Sequence, residues 1–166
     1  MKFCNLAWAV AVALLPYPTL AEKTTEITGN ELSYDSMIGS DKRMKCLYGY
    51  VASKSGDHGA AIAIFEDCID RWDDVYSMIW LAQMHESGTG VPQSDAKAFE
   101  LVKRGAQIDD EAGYGKWARY HYGKALYQGR GTTADPQAAL EPLKKAAKEG
   151  VKDACDFLTA HGYTCD

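Results

Sequence analysis

Beyond its first 21 residues the chain has no apolar run approaching the roughly 20 residues that a membrane-spanning helix needs. It lacks a Gly-x-Ser-x-Gly elbow that would present a serine nucleophile. It lacks His-Glu-x-x-His, and its four histidines, His58, His85, His121 and His161, stand apart. No Cys-x-x-Cys pair is present, so a thiolate zinc site has no basis. Basic residues are the minority, 18 against 23 acidic for a net charge of −5, and nucleic-acid binding asks for a clustered basic face. No stretch alternates with the period of two that marks a half-buried strand. These absences point away from nucleic acid, from stable membrane insertion, from a metal or cofactor, and from the commoner hydrolytic chemistries. An all-α binding protein remains.

The one apolar run is at the start. Lys2, the run Leu6 to Leu15 and the small residues around Thr19-Leu20-Ala21 predict an export signal over 1–21. Its loss removes Lys2 and Cys4 and leaves 17 basic residues, a net charge of −6. Four cysteines then remain, Cys46, Cys68, Cys155 and Cys165. An even number in an exported chain reads as two disulfides. Cys46 and Cys68 are each 11 positions from Asp57, in the turn Ser55-Gly56-Asp57. Residues equidistant from the turn of an antiparallel helical hairpin lie opposite each other, so Cys46 is expected to pair with Cys68 and Cys155 with Cys165. The expected location is the periplasm, with secretion as the other possibility.

Residues 22–40, rich in Thr, Ser and Gly, show no helical period and are expected to form a flexible leader. A repeat domain follows over 41–166. Leu81-Ala82-x-x-His85-x-x-Gly88-x-Gly90, then Ala98 and Ala106, recurs 41 positions later as Tyr122-Gly123-x-x-Leu126-x-x-Gly129-x-Gly131, then Ala139 and Ala147. A period of this size with small residues at fixed places marks stacked two-helix units. Helices are predicted near 75–87, 95–108, 111–128 and 136–149, with a short capping helix over 153–161. Gly88 is placed to end a helix in the left-handed conformation, Ser94 to cap the next, and Asp135-Pro136 to start another. An earlier unit pairs Tyr48-Gly49-x-x-Ala52 with Ala61-x-x-x-Phe65-x-x-Cys68, about seven helices in all. Pro142 is expected to kink its helix or distort its first turn.

These residues resemble Sel1-like repeats, relatives of the tetratricopeptide repeats. Ala118, Tyr122, Gly123, Leu126, Gly129, Gly131, Asp135, Ala139, Lys145, Ala146, Ala147 and Gly150 fit the family pattern, as do Leu81, Gly88, Gly90, Val91, Ala98, Arg104 and Ala106 in the preceding unit. His85, Ala82, Ser94 and Pro142 depart from it, and the first unit is similar to the shorter tetratricopeptide form. The resemblance implies an α-solenoid of about three helix pairs plus a C-terminal cap, and a non-catalytic protein-binding scaffold. It also leaves open an immunity protein against a secreted toxin such as a lipase, or a cell-wall-acting or penicillin-binding enzyme.

The Gly88-x-Gly90 and Gly129-x-Gly131 loops follow helices, whereas phosphate loops follow strands, so they read as structural. The candidate binding residues are instead Trp117, Tyr120, Lys124 and Tyr127, at three- and four-residue steps on one helix, with Tyr76 and Gln83 at shifted positions on its neighbour. By resemblance to tetratricopeptide domains, the first helix of each unit lines a concave groove, which these residues would share. Aromatic and cationic side chains suit the anchoring of a protein partner. The competing reading is that Trp117 and Tyr120 pack between units, and Trp80 and His121 fit either side.

Overall fold

A computed structural model describes residues 34–165; the expected export signal and residues 22–33 of the leader lie outside them. The described residues form eight helices and no strand: α1 (Tyr34–Ile38), α2 (Lys45–Ser55), α3 (His58–Trp72), α4 (Val75–Ser87), α5 (Asp95–Ala106), α6 (Gly115–Gln128), α7 (Pro136–Lys148) and α8 (Lys152–Ala160). Three pairs, α2/α3, α4/α5 and α6/α7, stack in chain order and α8 closes the last. This is the expected α-solenoid with one helix more than the sequence suggested. The addition is α1, which forms inside the segment expected to be loose and packs on α2 and α3.

The two later units superpose in their bonding as well as their sequence. Gly88 and Gly129 end α4 and α6 with φ of 72° and 67°. The next backbone bonds repeat at the 41-residue shift, from Thr89 N to Met84 O and from Arg130 N to Ala125 O, each at 3.0 Å. Ser94 N to His85 O and Asp135 N to Leu126 O repeat too, each at 2.9 Å. Ser94 then accepts from Lys97 N and Asp135 from Ala138 N, capping α5 and α7. The side chain of Asp57 caps α3 in the same way through Ala60 N.

Each loop lands on the preceding unit. A Cβ on Gly131 would strike the Asp95 carbonyl at the start of α5, and one on Gly90 would strike His58 at the start of α3. Asp95 and His58 are 37 positions apart, which is the shorter spacing between the first two units. Inside the pairs, small residues set the distance: Gly49 faces Phe65, Gly105 faces Ala118 and Val75, and Gly123 faces Leu143 and the Ala139 carbonyl.

Two buried cations fix the ends of the stack. The fully buried ammonium of Lys45 donates to Asp67 and to the Ile38 carbonyl at 2.9 Å, which ties α1 down. Arg119 donates to Glu149 Oε2 at 2.6 Å, to Asp109 at 3.2 Å and to the Ala106 carbonyl at 3.2 Å, joining α6 to the ends of α5 and α7. Two of the Arg119 partners, Asp109 and Glu149, lie just outside the helices: α5 stops at Ala106, α7 stops at Lys148, and α6 begins at Gly115, four residues later than the sequence suggested. Asp110 accepts from Tyr114 N at 2.9 Å and also from Gly115 N, so the acidic stretch 109–111 is a cap and an anchor.

Cys46 is joined to Cys68 and Cys155 to Cys165, with Cα separations of 5.9 and 5.1 Å. The first bridge is buried between α2 and α3; the second ties α8 to the tail. Pro142 lies inside α7, which continues through it from Pro136 to Lys148. Pro142 lies with Ala139, Leu143 and Ala146 on the buried stripe facing α6, where packing holds the helix across the missing N–H.

Candidate functional site

The first helices of successive units touch one another, α2 with α4 and α4 with α6, more closely than the second helices do. The side they form is therefore the inner side of the stack. Its floor is aromatic. Trp80 lies at its centre, with ring centroids 4.5 Å from Tyr50 on α2 and 6.1 Å from Tyr76 on its own helix. Tyr76 in turn meets Tyr114, at the start of α6, at 5.0 Å. Trp117 stands at the edge, 36% exposed, an unusual degree for a tryptophan beside a folded core.

Two hollows run along this floor. One, of about 300 Å³, is lined by Tyr76, Ile79, Trp80, Gln83, Tyr114, Trp117 and His121. The other, of about 590 Å³, shares Trp80, Gln83 and His121 with it and continues past Lys54, Lys124, Glu86 and Arg130. Together they are one groove across α2, α4 and α6. Rows across it follow the 41-residue shift: Tyr76 beside Trp117, Trp80 beside His121, Gln83 beside Lys124.

Four of the six predicted binding residues, Tyr76, Gln83, Trp117 and Lys124, thus come together in the groove. Tyr120 and Tyr127 do not. Each residue turns a helix by about 100°, which places them roughly 60–80° further round α6 than Trp117. That turn directs them to α8. Tyr120 packs against the clusters around Leu158 and Ala154, and Tyr127 meets Phe157 at 5.3 Å and His161 at 4.6 Å. The packing alternative, stated for Trp117 and Tyr120, describes Tyr120 alone of that pair, and Tyr127 packs on α8 as well. The sequence carried a signal for it: the shifted equivalent of Tyr120 is Ile79, an apolar residue buried against Ala118 of the next unit. Trp117 and Tyr120, read together as one stripe, divide between groove and core.

The sequence reading left Trp80 and His121 unassigned and did not name Tyr50, Lys54 or Tyr114. Lys54 is placed with its ammonium 5.3 Å from the Tyr50 ring centre and 5.4 Å from that of Trp80. This contact joins the first and second units, whose spacing differs from 41, so no shift in the sequence reveals it. Burial is the main effect that raises the Tyr76 phenol to about 12, with the Tyr114 phenol adding to it. His121 is lowered to about 4, first by burial and then by the Lys124 ammonium, against a weaker pull from Asp153. At neutral pH its imidazole is therefore uncharged, and it faces the groove as a neutral hydrogen-bonding group.

Nothing in this arrangement assembles a nucleophile with a base. Among the described residues no group of three or more His, Cys, Asp or Glu side chains could hold a metal ion. His85 is buried, its Nδ1 3.5 Å from the Pro92 carbonyl, where it supports the loop after α4.

A family model described as the Sel1 repeat matches residues 75–110 and 118–151. These spans are the α4/α5 and α6/α7 units; α2/α3 lies before them. No curated protein and no solved structure matches the chain.

Two measurements check this geometry. Replacing Tyr127 by Ala removes an aromatic from the α6–α8 contact and is expected to cost about 2 kcal/mol or more, whereas Trp117→Ala is expected to cost under about 1 kcal/mol; urea unfolding of the two variants gives the comparison. The lowered His121 gives stability that is complete above its unfolded value of 6.5 and is lost as the pH falls toward about 4. Stability followed across that window should fall by about 3 kcal/mol at most from this group, and His121→Gln should flatten the slope there.

Proposed function

We propose that this chain, a member of the Sel1-like repeat family, is a non-catalytic protein-binding module of the periplasm that holds its partner along the groove of α2, α4 and α6. Sel1 repeats are generally protein-interaction modules, and two of them make up the centre of the chain. The observation that carries the reading is the aromatic floor left open between the first helices. Trp80, Tyr76 and Tyr50 form a continuous ring surface, and Trp117 remains partly exposed beside it. Large aromatics of this kind are the residues that dominate binding energy when a partner covers them.

The polar groups along the floor support the same reading. The Gln83 side chain and the His121 ring nitrogens have no hydrogen-bond partner among the described residues, so both are free to bond a partner backbone. Two disulfides suit an oxidising compartment, and the apolar run before Ala21 suits export into it. No helix of the described residues is long and apolar enough to cross a membrane.

A photo-crosslinking amino acid at Gln83, in the groove, should give a discrete covalent adduct in intact cells. The same group at Glu100, exposed on α5, should give none. Adducts from Glu100 with none from Gln83 would place the partner on the opposite face and end this reading.

A further inference from the structure

The charges along the groove are unevenly divided. At one end Lys54 and Lys124 have no carboxylate partner among the described residues; Lys54 lies over the rings of Tyr50 and Trp80, and Lys124 lies over Tyr120 and acts on the His121 imidazole. Arg130 lies beside them, 3.7 Å from Glu86. Three cations and one carboxylate thus line this hollow in a chain whose net charge is −5. At the other end, toward the starts of α4 and α6, the lining reverses sign. Asp73, Asp74, Asp110 and Glu111 surround a further hollow of about 580 Å³; Arg43 lies 3.4 Å from Asp74 and Arg104 pairs with Asp73, which leaves Asp110 and Glu111 with no cationic partner among the described residues. Trp80 and Trp117 lie between the two.

An ammonium group held over an aromatic ring keeps most of its charge available, because the ring offers no neutralising anion. Lys54 is so held on the floor of the groove, close to where a side chain resting on Trp80 would lie. Resting on the protein-binding reading above, we propose that the groove takes an acidic peptide segment: an apolar or aromatic side chain lies against Trp80 and Trp117, and a neighbouring carboxylate meets Lys54 and Lys124. The acidic opposite end fixes the direction, since it repels a carboxylate placed there and favours a basic one. Charge of this arrangement supplies direction and partner discrimination, and the aromatic floor supplies most of the affinity.

The test is selection of a random dodecapeptide library, displayed on phage, on the purified disulfide-bonded protein, followed by fluorescence anisotropy with the enriched peptides. The expected result is enrichment of peptides that carry Asp or Glu within a few residues of Trp, Phe or Leu, with binding that weakens as salt is raised. Lys54→Gln with Lys124→Gln should weaken those peptides about tenfold, and Lys54→Glu with Lys124→Glu should turn the selection toward Lys and Arg. Both positions are at least partly exposed, and helical circular dichroism and the thermal midpoint confirm that the variants fold.

Enriched peptides without an acidic bias, or an acidic bias that survives charge reversal, would overturn the inference. So would equal binding of a single-stranded DNA dodecamer, which would mark a generic polyanion surface, or no enrichment at all. The reading of the groove as a protein-binding surface fails separately, through the crosslinking outcome at Gln83 and Glu100. Neutral peptides displaced by Trp80→Ala would overturn the acidic preference and leave that reading standing.

Discussion

The close approach of helices at small residues is the constraint on which the rest of the fold depends. Gly123 lets α6 lie against Leu143 and the Ala139 carbonyl of α7, Gly105 lets α5 meet Val75 and Ala118, and Gly49 lets α2 meet Phe65. A side chain at any of these points would push a pair of helices apart. Because each unit packs only on its neighbours, a displacement within one pair would carry into the next. The loops obey the same rule: Gly131 and Gly90 need both a left-handed backbone and the absence of a Cβ, since they rest on the starts of α5 and α3.

The groove is a consequence of that packing. With the second helices spread and the first helices drawn together, the residues at 76, 80 and 83 come to lie beside those at 117, 121 and 124. Tyr76 and Trp80 pack between the first helices through Tyr114 and Tyr50 and also face the groove, so the same side chains serve both the contact and the surface. Tyr76, Trp80 and Trp117 make that surface aromatic, while His121 and Gln83 keep neutral bonding groups on it. At the end of the stack the same register has a different use. There α8 takes the place of a further unit, and Tyr120 and Tyr127 bury against it as Ile79 buries against α6.

Periodic features were legible in the sequence and solitary ones were not. The 41-residue repeat placed α4 through α7, their glycine ends and their Ser94 and Asp135 caps, because each is a local requirement of backbone geometry. The cysteine pair about Asp57 followed from hairpin symmetry. Lys45 and Arg119 escaped notice, since charged residues are nearly always exposed and only three-dimensional partners reveal the exceptions. Helix α1 escaped for a related reason: its five residues have little period of their own and are held by Lys45 through the Ile38 carbonyl. Within the candidate site, Trp117 and Lys124 were legible from their helical steps on α6, and Tyr76 and Gln83 from the 41-residue shift onto α4. Tyr50 and Lys54 were missed because the first unit is offset by a different spacing.

The packing constraint is most directly tested at Gly123, where two effects of opposite sign compete. Alanine in a helix interior is favoured over glycine by about 1 kcal/mol. Against this, the new Cβ would stand 2.7 Å from Leu143 Cγ and 3.2 Å from the Ala139 carbonyl oxygen; overpacking of this kind typically costs about 1–3 kcal/mol. The account predicts that Gly123→Ala lowers the unfolding free energy measured in urea. An increase of about 1 kcal/mol, the gain expected from helix propensity alone, would show that α6 and α7 are free to move apart and would contradict it.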